Sequence, residues 1–209
     1  MSLPILNLFS KSKEAESVPS RLIVELPMRV FHSLMVLSFA GAYLTAEIER
    51  FRLVHISLGY TLFGLVVFRV IWGLIGPRQS RLASIWRKLK AIQKLHQLMN
   101  ASMAATALLT LCVSFFITAS GYVFYNEMAG EWMGEIHELF VNCLLVLVLA
   151  HLSLIVIFLL TKNSKGLRPM WSGQKAGLGP HLAKSNHLIV ATLLSLCVIA
   201  FLWFHFTAI

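Results

Sequence analysis

Four histidines lie inside apolar segments of this chain: His32, His55, His137 and His151. A histidine held within a membrane helix is costly, so each is a functional candidate by default. His137 and His151 are fourteen residues apart. On a helix that spacing rises about 21 Å and returns to within about 40° of the same face. One helix therefore offers two imidazoles at two depths. Four such residues on membrane helices can make two facing pairs, and facing imidazoles are the axial ligation of a b-type haem. Iron with two imidazoles leaves no open coordination position, which suits electron transfer more than oxygen chemistry.

The elements that must position these residues are apolar runs. Of 209 residues, 57% are hydrophobic, and the mean hydropathy of +0.76 excludes a soluble domain. Five runs stand out, at residues 30–46, 53–75, 101–125, 139–160 and 188–206. Most reach the roughly 20 residues that cross a bilayer; the first is short and borrows Pro27–Arg29. Ten-residue stretches of alternating polarity are absent, which excludes a β-barrel. The expected fold is an all-α integral membrane protein: a four-helix dihaem-binding bundle plus a fifth transmembrane helix. Helices are expected at about 27–46, 53–75, 97–125, 137–160 and 187–206, in a single membrane domain 26–209 behind a mobile cytoplasmic tail, 1–25.

The net charge of +9 is placed for a membrane, not for nucleic acid. Fifteen of the 18 basic residues lie before helix 1 or in the loops after helices 2 and 4. All three segments share one side of a five-helix chain. The other side carries Arg50 and Arg52 against Glu47, Glu49, Glu127, Glu131, Glu135 and Glu138. The positive-inside rule then puts the N-terminus in the cytoplasm and the C-terminus in the periplasm. Met1–Phe9 is apolar but short, with no basic stretch before it, so helix 1 is expected to be an uncleaved anchor. Cys112, Cys143 and Cys197 are expected as buried thiols. No Cys-x-x-Cys-His motif for covalent haem is present. Trp72, Trp132, Trp171 and Trp203 read as an interfacial belt.

Topology pairs the histidines. His55 opens helix 2 on the outer side and shares its level with His137. His32 opens helix 1 on the inner side and can meet His151. A depth mismatch accompanies the second pair: His151 is nine residues from the end of its apolar run, His32 only two past the start of its own. A tilted or protruding helix 4 would absorb it. Arg69 follows His55 by fourteen residues and points towards the inner level, where its charge can meet a haem propionate or snorkel to the headgroups. Gly59, one turn after His55, would let a flat porphyrin lie close to the backbone, although glycine also serves helix packing. His96, His181, His187 and His205 read as interfacial or solvated, with His96 kept as a quinone or proton contact.

These residues resemble the bacterial cytochrome b561 family and the related cytochrome b subunits of hydrogenases and formate dehydrogenases. The resemblance is carried by Leu26-Pro27-Met28-Arg29-Val30-Phe31-His32, by His55-Ile56-Ser57-Leu58-Gly59-Tyr60 and by Arg69-Val70-Ile71-Trp72-Gly73. Gly76-Pro77-Arg78, His137-Glu138 with His151, and Met170-Trp171-Ser172-Gly173-Gln174-Lys175 extend it over about residues 25–175. It implies two b haems, ligated by His32/His151 and His55/His137, and electron exchange with a quinone in the bacterial inner membrane. Helix 5 lies beyond the four-helix core, and hydrogenase-type relatives carry such a helix.

The first expectation is therefore a dihaem cytochrome passing electrons between the quinone pool and a periplasmic redox protein, such as a cytochrome c. The second is a membrane anchor subunit of a separate periplasmic dehydrogenase or hydrogenase. Glu47, Glu135 and Glu138 outside, or His96 and Glu25 inside, are candidates to take the quinol protons. The acidic loop 127–138 could steer a basic partner or simply be solvated. A histidine-lined metal transporter is disfavoured, since no mid-helix carboxylate accompanies the histidines.

Overall fold

The computed structural model describes residues 20–77, 80–83, 95–162, 172–176 and 185–207. Their elements run in the order β1 (Ser20–Leu22), α1 (Leu26–Thr45), a 3-10 turn (Glu49–Phe51), α2 (Arg52–Ile75), α3 (Leu95–Tyr125), α4 (Trp132–Lys162), β2 (Gln174–Ala176) and α5 (Leu188–Thr207). Four helices are long and apolar enough to cross a membrane, over Glu49–Ile75, Ala101–Tyr125, Trp132–Leu160 and Leu188–Thr207. The fifth, α1, equals α5 in length at 20 residues but carries Arg29, His32, Ser33 and Ser38. Packing on both α2 and α5 reduces the apolar surface it must show to lipid.

The helices form two antiparallel hairpins, α1/α2 and α3/α4, joined along α2 and α3, with α5 against the first hairpin. The α3–α4 connection shows why such a hairpin closes. Met128 N–H donates to the Val123 carbonyl and Glu127 N–H to that of Phe124, both at 3.1 Å. Glu127 takes φ 52°, so the helix ends in a left-handed cap of the Schellman kind. The core is apolar and concentrated at the hairpin seam: Leu62, Leu65 and Val66 of α2, Leu111 and Ile117 of α3, and Leu144 of α4. Buried Ser57, Ser114 and Ser120 return their hydroxyls to carbonyls four residues back, which satisfies them without water.

Several expectations change here. Residues 20–25, assigned to the tail by their polarity, belong to the fold: β1 pairs antiparallel with β2, Arg21 opposite Lys175. The Gly173 carbonyl accepts from Ile23 and Val24 N–H. Gly173 has φ 73°, and a Cβ there would meet the Val24 carbonyl oxygen at 2.6 Å, so only glycine allows this clasp. Residues 1–19 lie outside the described set, as does Trp171. Helix α4 starts at Trp132, earlier than its apolar run, because its first turn is amphipathic. The three cysteines are exposed, since lipid and protein core are equally apolar surroundings for a thiol. Trp132 and Trp203 are exposed like belt residues, but Trp72 is buried, its indole stacked on Phe68 at 6.0 Å.

Candidate haem-binding site

Each hairpin sends two histidines to the helix bundle at two levels. At the level of the α3–α4 turn, the rings of His55 and His137 have centroids 6.3 Å apart and planes at 80°. An imidazole nitrogen lies about 1 Å from its ring centre and bonds a metal at about 2 Å. Two rings sharing one ion thus stand about 6 Å apart, which this pair matches. Axial imidazoles need not be coplanar.

The nitrogen chemistry also fits. His55 Nδ1–H donates to the Ala42 carbonyl at 2.8 Å, and His137 Nδ1–H to the Ile117 carbonyl at 3.0 Å. A carbonyl only accepts, so Nδ1 carries the proton and Nε2 keeps its lone pair. Metal-bound histidines are oriented in this way by a bond from the other nitrogen. The Ser120 hydroxyl adds a contact to His137 Nδ1 at 3.3 Å. A Cβ on Gly121 would come within 2.9 Å of His137 Cε1. Only the missing side chain lets the ring come this close to α3.

At the second level, the Thr106 hydroxyl sits 3.3 Å from His151 Nδ1. That hydroxyl gives its proton to the Ser102 or Met103 carbonyl at 3.1 Å, so its oxygen accepts from His151. His32 lies within electrostatic reach of His151 and its ring is exposed. The depth mismatch shrinks because α1 begins at Leu26, well before its apolar run.

Arg69 is 8% exposed, and its Nη1 donates to the Ser80 carbonyl at 3.0 Å. The guanidinium ties down the chain after α2 and keeps further N–H groups. Gly73 makes room, since a Cβ there would meet Arg69 Nη1 at 3.0 Å. Around Gly59 a Cβ would meet no protein atom within 4 Å, so space exists beside it. Two histidines read as interfacial contact α2 instead: His187 packs edge-on to Trp72 at 5.4 Å, and His205 Nδ1 lies 2.9 Å from the Ser57 hydroxyl. The His96 side chain and His181 are outside the described residues.

Sequence reasoning missed Thr106, Ile117, Ser120 and Gly121. A signal existed: in an antiparallel hairpin turning near Ala129, Thr106 and Gly121 stand about as far before the turn as His151 and His137 stand after it. Among the described residues no three His, Cys, Asp or Glu side chains are placed to hold a bare metal ion. A porphyrin asks the protein for only two axial ligands, and pairs are what the bundle contains.

A multi-pass helical membrane protein with paired, Nε2-free histidines belongs among membrane cytochromes. A family model described as prokaryotic cytochrome b561 matches residues 23–173. The chain belongs to that family, whose members are b-type cytochromes of electron transfer, binding haem b in the bacterial inner membrane. No curated protein and no solved structure matches it. Helix α5 lies beyond the matched segment.

Proposed function

We propose that this chain is a dihaem b-type cytochrome of the respiratory chain. It would carry electrons across or within the cytoplasmic membrane, between the quinone pool and a periplasmic redox partner such as a cytochrome c or a dehydrogenase. His55 and His137 would hold one haem b and His32 and His151 the other, with Arg69 towards a propionate and Gly59 beside a porphyrin face. When bound, haem supplies one-electron exchange at iron closed to substrate. The chain's own part is to fix the imidazoles, exclude water from them and hold them at two depths, so that an electron crosses about 30 Å of hydrocarbon in short hops. The charge asymmetry of the loops supports an N-terminus in the cytoplasm and a C-terminus in the periplasm.

The observation that carries this reading is the His55–His137 pair, 6.3 Å apart with both Nδ1 atoms bonded to backbone carbonyls. A reduced-minus-oxidised spectrum with haem quantification on the purified protein tests it. Two protohaems per chain with a sharp α-band are expected, and a colourless protein would refute it. Helix α5, outside the family match, favours a second reading as the membrane anchor subunit of a periplasmic dehydrogenase or hydrogenase. Co-purification of such an enzyme, or its gene beside this one, would select it.

A further inference from the structure

A second cluster of titratable groups lies away from the four histidines, where the chain enters α1 and α5. Glu25 immediately precedes α1 and is 1% exposed. The Trp72 indole and the Ser80 hydroxyl lie beside its carboxyl group. Yet neither carboxyl oxygen, nor Trp72 Nε1, sits in a hydrogen bond of good geometry. Buried carboxylates are normally paired or bonded throughout, so an unsatisfied one needs an explanation.

The segment leading into α5 supplies the only imidazole near this carboxyl among the described residues. Asn186 Oδ1 accepts from the Leu26 N–H at 3.0 Å, which latches that segment onto the residue after Glu25. His187 then stands against the same Trp72 ring that borders Glu25. It is held at φ 44°, a conformation costly for a residue with a Cβ. Its Nε2 meets the Ser185 hydroxyl at 2.9 Å, and Ser185 and Asn186 are exposed. Exposed Ser185, His187 and the buried carboxyl thus lie in that order from water, with the Trp72 ring bordering the last two. Glu25 is the residue before α1, seven before His32, which sets it about 10 Å along the helix axis from that histidine.

We infer that Glu25 and His187 form a proton-exchange pair between the bundle interior and the aqueous surface, taking up or releasing the protons of quinone chemistry beside the His32–His151 level. This rests on the quinone-linked reading. Quinol oxidation gives up two protons and two electrons, and two bound ferric haems would each take one electron. For each proton, a Glu25 carboxylate oxygen gains it from the quinol hydroxyl, passes it to the His187 imidazole, and the imidazolium gives it to water. The pair moves no electron and ends each cycle unchanged. Among the described residues the charged group that acts on this carboxyl is His187, while Arg69 and Arg81 are turned to the Ser80 and Gly76 carbonyls. Burial raises the Glu25 pKa, and the His187 charge opposes that rise. The carboxyl is thereby brought towards the range where it can exchange protons near neutral pH. His187, at the entry to α5, lies beyond the segment that the family model matches.

The full-length protein in lipid nanodiscs gives two readouts. Infrared titration should show a protonated-carboxyl band persisting above the ordinary glutamate range, absent in Glu25→Gln and moved to higher pH in His187→Asn, a residue that tolerates positive φ. Haem reduction by menadiol should slow about 100-fold in both variants, with haem content and dithionite reduction unchanged. A carboxyl titrating as in water, or variants with full menadiol rates, would overturn the pair. So would haem loss in both variants, which marks a merely structural role. Should Glu25→Gln not fold, Glu25→Asp is expected to keep the band and slow the rate. If wild-type haem is not reduced by menadiol at all, the quinone reading fails, and the infrared titration still decides whether Glu25 and His187 are coupled.

Discussion

Gly121 offers the sharpest test of the outer histidine pair, because its replacement by alanine disturbs a ligand without touching it. A methyl at this position would stand 2.9 Å from His137 Cε1 and 3.1 Å from Nδ1. Ordinary contact begins near 3.4 Å, so the ring must retreat by half an ångström. That equals the tolerance of about 0.5 Å within which a site can hold its ligands. Retreat also stretches the 3.0 Å bond from Nδ1 to the Ile117 carbonyl, and loss of such a bond, which orients a ligand ring, weakens metal binding about 10–100-fold. The cost is then about 1.4–2.8 kcal/mol of haem affinity. Alanine is the better helix former by about 1 kcal/mol, so the helix itself should not suffer. In Gly121→Ala, quantification after dialysis against a haem-binding protein should show one haem released far faster than the other. Two haems retained at wild-type rates, with an unchanged α-band, would refute the assignment of His137 as a ligand pressed against α3.

Four further outcomes are expected. His55→Ala or His137→Ala should remove one common haem, and His32→Ala or His151→Ala the other; loss of one common haem in His55→Ala and His151→Ala would overturn the pairing. Gly59→Ala meets no protein atom within 4 Å, so reduced haem content in that variant would report porphyrin contact directly, while unchanged content removes Gly59 from the site. Because burial raises the Glu25 pKa, its contribution to stability is fully present below the ordinary value and is lost as pH rises through the raised one. Glu25→Gln should therefore melt higher than wild type in alkaline buffer and equally in acid, and scanning calorimetry in detergent at both extremes checks this. Glu127→Gly should stabilise by up to about 1 kcal/mol, because Glu127 holds φ 52° where glycine is unstrained; a lower thermal midpoint would show that the helix cap is not the limiting feature.

The one-dimensional pattern determined what depends on composition and spacing. Apolar runs located the helices, since a bilayer demands internally bonded backbone over a fixed length. The fourteen-residue interval from His137 to His151 placed two imidazoles on one face at two depths, and the alternation of sides assigned their partners on helices 1 and 2. What sequence could not supply was anything set by the approach of one helix to another. That His137 lies on Gly121, that Thr106 receives His151 and that Ala42 offers its carbonyl to His55 all depend on hairpin register and rotation. Those are decided by packing of residues such as Leu65, Ile117 and Leu144. Polar residues misled for the same reason. Glu25 and Trp72 look like surface groups by type, and His187 like an interfacial one. Only the clasp of β1 on β2 and the latch of Asn186 on Leu26 bring the three together, with Glu25 and Trp72 out of water, because long-range contacts, not local propensity, decide which polar groups a fold encloses.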